Sequence, residues 1–224
     1  MKSVWIFSLL ILGISTSWSQ NEQTGVLEAP LNEDRFLVEF NNDSWLGYPE
    51  SVTLRPYSPG IGAFITYDYQ LSKSPISLVW GYGFSSHNVH HDGIFTPDSL
   101  LGKSYTRLTG NIPGFNPQKN KHSASYIEVP FAIRLRTKGD NKFKLYLGAK
   151  VGYLVNIHSK TIDDAGKRKF YGLDNVMPYR YGLVARVGFN MVAVSGFYSL
   201  TPLLKEGKGD EFYPISIGLT FFLL

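Results

Sequence analysis

His87, His90, His91 and Asp92 crowd into one short stretch, and His122 stands further along the same Gly-, Pro- and Asn-rich segment. Imidazole and carboxylate are the ligands that zinc and its neighbours accept, so these five are the candidate metal set. An irregular loop fixes no coordination geometry, and solvated loop histidines are the plainer reading; no metal or other cofactor is expected. Ser85 or Ser86 with His87, and Ser123 with His122, are the pairs from which a nucleophile and its base could be drawn. Neighbours along a strand point to opposite faces, which places the adjacent pairs poorly. Asp163, Asp164 and Asp174 suit either a surface cation or a solvated acidic loop tip, and the second is expected. A last set is scattered: Glu39, Asp68, Glu128, Arg134, Arg136, Lys150, Arg180 and Arg186. Gathered in one bore, these charges would either line a narrow anion-preferring channel or pair off and fill it, and filling is expected.

Composition removes several other chemistries. The 224 residues contain no cysteine, which rules out disulfides, thiolate metal sites and a lipid anchor on cysteine. A net charge of +4 without a clustered basic stripe argues against nucleic acid. Lys2, the apolar run from Val4 to Ile14, and small Ser17 and Ser19 before Gln20 have the layout of a secretory signal peptide. The expected organisation is a signal peptide over 1–19, a polar lead-in over 20–34 and one domain over 35–224.

That domain must position the scattered charges, and its last stretch, Phe212 to Leu224, shows how. Ile215, Ile217, Leu219, Phe221 and Leu223 share one face of a period-two pattern, with Pro214, Ser216, Gly218 and Thr220 on the other. The same alternation recurs from Arg35, Ile61, Ile76, Tyr126, Phe143, Tyr179 and Met191, giving about eight strands and no helical period. The segments near 87–122 and 158–177 read as long polar loops. Connections alternate long and short, as in membrane barrels with tight periplasmic turns.

Within the strands the charges fall almost entirely on the small-residue face, with glycine recurring beside them, whereas Tyr, Trp80 and aliphatic residues fill the other. Arg or Lys facing lipid at mid-depth costs roughly 2–4 kcal/mol, so the charged face is expected to look inward. An eight-stranded barrel is only wide enough for its own side chains. The expected fold is an all-β, eight-stranded antiparallel up-and-down transmembrane β-barrel with a filled lumen, closed by its first and last strands. A soluble lipocalin-like binding barrel is the competing fold.

DRFLVEFNNDSWLG (34–47), RPYSPGIGAFITYDY (55–69), YIEVPFAIRLRTK (126–138), LYLGAKVGYLV (145–155) and the final IGLTFFLL together resemble the PorT-like outer-membrane β-barrel proteins of Gram-negative bacteria. The resemblance covers most of the mature chain, through motifs that are short and barrel-generic. It implies residence in the outer membrane, contact with outer-membrane lipid, and insertion by the barrel-assembly machinery. Some members of that family are linked to protein secretion, so another outer-membrane or secretion-complex protein is the expected partner. No catalytic residue comes with the resemblance, and a non-enzymatic structural or accessory role is expected. A lipid-modifying enzyme and a narrow channel stand as the alternatives.

Overall fold

The computed structural model describes residues 34–223, apart from 72–73, 99–104, 111–112, 114–118, 140 and 164–165. The leader expected over 1–19 and nearly all of the lead-in lie outside the described residues. Eleven strands are present: β1 (Phe36–Leu46), β2 (Pro59–Gln70), β3 (Ile76–His90), β4 (Ile94–Asp98), β5 (Tyr105–Thr109), β6 (Lys119–Arg136), β7 (Phe143–Asp163), β8 (Gly166–Tyr171), β9 (Tyr179–Phe189), β10 (Val192–Ser199) and β11 (Tyr213–Leu223). Eight of them close a barrel in the order β1-β2-β3-β6-β7-β9-β10-β11. All neighbours are antiparallel, and β11 returns to β1 with Phe36 opposite Leu223. Closure leaves no open edge along the wall.

The connections on one rim are short. Only Asn190 and Met191 separate β9 from β10, and Asn190 takes a left-handed conformation (φ 50°) that asparagine tolerates. Its side chain accepts the Lys142 N–H at 2.9 Å, tying this turn to the neighbouring β6–β7 turn. On the opposite rim the wall is uneven. β3, β6 and β7 run to 15, 18 and 21 residues, whereas β9 and β11 stop at 11. The surplus stands beyond the barrel as a crown, where β8 pairs with the end of β7 and β4 with β5.

Here the structure departs from the sequence reading. The segments 87–122 and 158–177, expected as loops, contain the ends of β3, β6 and β7 together with β4, β5 and β8. The physical reason is the medium. Above the apolar belt a strand needs no greasy outer face, so the hydropathy alternation stops while the backbone ladder continues.

The two faces separate by chemistry. Ile217, Leu147 and Val187 point outward at 60%, 54% and 45% exposure, whereas Lys150 and Arg186 are only 2% and 3% exposed. Aromatic pairs flank the outer belt, Tyr67 stacked on Trp80 (5.0 Å) and Tyr153 against Tyr179 (5.4 Å), as interfacial girdles do. In water such a surface would be a single apolar patch far beyond what a soluble protein presents. The surrounding medium is therefore hydrocarbon, and the soluble lipocalin-like arrangement does not fit.

Candidate functional site

The bore is layered. At the short-turn end Leu37, Phe64, Val79, Ala132, Tyr146, Ala193 and Phe222 form an apolar plug, with Tyr146 stacked on Phe222 at 5.3 Å. Phe64 fits because its ring lies over glycine: a Cβ at Gly83 would collide with the Phe64 ring. Four charges cluster at the mouth of this plug. Lys144 Nζ donates to Asp34 Oδ1 at 2.5 Å, and Arg134 pairs with Asp68 and lies 3.6 Å from Asp34. Arg136, the next inward charge on β6, is half-buried at the same mouth.

Above the plug runs one continuous polar chain. Glu39, at an inward position of β1, accepts two bonds from Arg186 (Nε at 3.0 Å, Nη2 at 2.6 Å) and one from Lys150 at 3.2 Å. Lys150 also lies 3.5 Å from Glu128, which accepts from Arg180. Arg180 donates to His87 Nε2 at 2.9 Å, and His87 Nδ1 meets Asp43 Oδ1 at 2.8 Å. Asp43 also accepts from the Ser216 hydroxyl (2.6 Å) and the Asn88 N–H (3.0 Å). Glu39, Glu128 and Asp43 thus face Arg186, Lys150 and Arg180, so formal charge balances inside the bore. Aromatic faces complete the solvation: Lys150 lies over Phe64 and Phe197 (4.9 and 5.0 Å), and Arg180 over Tyr126 (3.9 Å).

At the crown end, Trp45, Val52, Val89, Leu108, Val176, Leu203, Leu204 and Phe212 form a second apolar cluster that caps the chain of charges. Between cap and charges is a cavity of about 20 Å³ bordered by Trp45, Asp43, His87, Arg180 and Ser216, room for about one water.

The expected site residues can now be placed. Glu39, Glu128, Lys150, Arg180 and Arg186 meet in the continuous chain, and Asp68 with Arg134 belongs to the mouth cluster. Asp34, Asp43, Lys144 and His87 were not read as parts of either. Asp43 and Trp45 simply continue the period of Glu39 and Asn41, and His87 that of Ser85, so extending the alternation two or four residues would have found them.

The histidines are dispersed. His87 serves the bore, and His90 lies on the outward side of β3. Buried His91 and His122 sit against Trp45 (5.2 and 6.0 Å) and Phe95 (5.9 and 5.1 Å). Burial holds the His91 imidazole well below its ordinary value, at about 4. Asp92 is engaged by the Thr53 N–H at 2.7 Å. Among the described residues no group of three or more metal-competent side chains converges.

One arrangement resembles catalytic machinery. Ser85 Oγ lies 3.2 Å from His87 Nε2, whose other nitrogen meets Asp43; the two residues are two apart on β3 and share a face. Acyl transfer needs a free lone pair on Nε2 to receive the serine proton. Arg180 already donates to that lone pair, which fixes the ring proton on Nδ1, toward Asp43. Ser85 is also fully buried under the cap. The other pairing does not form: His122 Nδ1 meets Ser159 at 3.2 Å.

Residues 38–205, well over half of the chain, match a protein family described as "Outer membrane protein beta-barrel domain". No curated protein matches the chain.

Proposed function

The chain belongs to the outer-membrane β-barrel domain family, and from that premise we propose that it is a non-enzymatic integral barrel whose lumen is sealed, acting as a structural or accessory component of the outer membrane. The observation that carries this reading is the bore itself. It is occupied from mouth to cap by paired charges between two apolar plugs, with space for about one water. Among the described residues this packing leaves a solute no route through and a substrate no route to Ser85. Whatever the protein recognises must be met from outside, by the crown or by the lipid-facing wall. Accessory service in an outer-membrane secretion complex of the PorT-like kind rests on the sequence resemblance, as does insertion by the assembly machinery, whereas removal of a leader near Ser19 and Gln20 rests on Lys2, the apolar run from Val4 to Ile14 and the small Ser17 and Ser19.

Conductance tests the seal. The purified protein in a planar bilayer should give no steady current; a stable open level would replace this reading with the narrow channel. A fluorophosphonate serine probe should leave the folded protein unlabelled, and labelling lost in Ser85→Ala would restore the enzyme. Purification in mild detergent, with co-eluting proteins identified, tests the accessory role.

A further inference from the structure

Outward residues of β3, β6, β7 and β8 form rows around the wall. The last apolar row is Phe84, Ile127 and Tyr153. Above it come Ser86, Ser125 and Asn156, then Asn88, Ser123, His158 and Tyr171. In the third row Lys121 stands opposite Lys160, and Lys160 opposite Lys169. Beyond it Lys119 and Lys167 flank Ile162. Five lysines therefore share one outward face, while Asn120, His122 and Thr161 between them turn inward and are buried.

Like charges directly opposite across strands destabilise a sheet, and here three stand in line with no carboxylate paired to them among the described ion pairs. Two of the ammonium groups bend toward the belt rather than away from it. Lys121 Nζ donates to Asn88 Oδ1 at 2.7 Å and Lys169 Nζ to the Tyr171 hydroxyl at 3.1 Å, both in the row below. That row lies four residues above Ile127, about 13 Å along a strand and about 10 Å along the normal at barrel tilt. The headgroup layer is about 5–8 Å deep on each side of the hydrocarbon, so the floor stands at its outer boundary and ammonium groups that bend toward the belt reach it from above.

We propose that this face, with Lys121, Lys160 and Lys169 above a floor of Asn88, Ser123, His158 and Tyr171, binds phosphate-bearing headgroups of the lipids in the crown-side leaflet. The phosphates supply the counter-charge the lysine row lacks; beneath them Asn88 is engaged by Pro59 and Lys121 and Ser123 is buried, so His158 and the exposed Tyr171 are the floor residues that offer further hydrogen bonds. The inference rests on the membrane-barrel reading.

The test uses the full chain reconstituted in nanodiscs of phosphatidylcholine doped with phosphatidic acid, with retained lipid read by native mass spectrometry. Wild type should retain phosphatidic acid preferentially. Each lysine near an anionic surface contributes about fivefold, so K121Q/K160Q/K169Q should lower the preference at least about tenfold. K205Q/K208Q, on the β10–β11 connection, should leave it intact. Should the triple variant not insert, wild type in ~0.5 M salt, which screens exposed charges beyond a few ångström, must lose the same preference. Unchanged retention in the triple variant, salt-insensitive retention, or full displacement by millimolar inorganic phosphate would each overturn the proposal. A wild-type chain that stays in the aqueous phase would overturn the barrel reading with it, whereas insertion without preference removes this inference alone.

Discussion

Glu39→Gln tests the bore most directly. Glu39 accepts three bonds from two cations, at 2.6, 3.0 and 3.2 Å, and is almost wholly buried. The amide keeps the shape and one acceptor but removes the charge, leaving Glu128 and Asp43 against Lys150, Arg180 and Arg186. Removing one member of a buried ion pair costs about 3–5 kcal/mol, mostly because the surviving charge is stranded in a poor medium. Lys150 keeps Glu128 at 3.5 Å, so the stranded partner is Arg186. Arg186→Met in the same chain restores charge balance, and the double variant should recover at least half of the loss. The assay is urea-induced unfolding in detergent micelles or vesicles, followed by the folded band on unheated gels and by tryptophan fluorescence. A loss below about 1 kcal/mol, the value of an exposed pair, would refute the sealed bore. A double variant as damaged as the sum of its parts would refute charge balance as the cause.

Ile217→Arg, at an outward position of β11 exposed to 60%, should cost about 2–4 kcal/mol in a bilayer; a neutral result in the same urea titration would contradict a lipid-facing wall. Trp45→Ala removes the centre of the cap, which packs on Phe212 at 4.8 Å, and should cost about 3–5 kcal/mol, with the intrinsic fluorescence of the folded state falling accordingly. His91 is held at about 4 when folded against about 6.5 when unfolded. The unfolded chain therefore binds the extra proton first as pH drops. The His91 contribution should be level above pH ~6.5 and fall as pH drops toward ~4, by up to ~3 kcal/mol; His91→Phe should make that part of the urea-midpoint profile shallower, the remaining slope coming from buried His122, which is held at about 3.

Barrel closure, strand number and the inward charges were readable because the belt imposes opposite demands on alternate residues. Leu147 and Lys150 differ in chemistry as sharply as in direction. The crown escaped because that demand ends at the headgroups. His87, Asn88 and Val89 carry no contrast that marks a strand, although the ladder passes through them. The same loss of contrast hid Asp43 and Trp45, which sit in a stretch whose asparagines and glycine suggest a turn. Pairings such as Asp43 with His87 join residues far apart in the chain, and period-two patterning reports direction without naming the partner across the bore.

The seam between β1 and β11 has a consequence for biogenesis. Phe36 meets Leu223 only after every intervening strand has emerged, so the cylinder cannot be completed from its front end during synthesis. Until that last zipper forms, two raw strand edges and an unscreened set of ions are on display. A chaperone that keeps the polypeptide extended, and a catalyst that presents a temporary edge, would answer those two hazards. Substitutions that weaken β11 should therefore reduce the yield of inserted protein more than the durability of the copies that succeed.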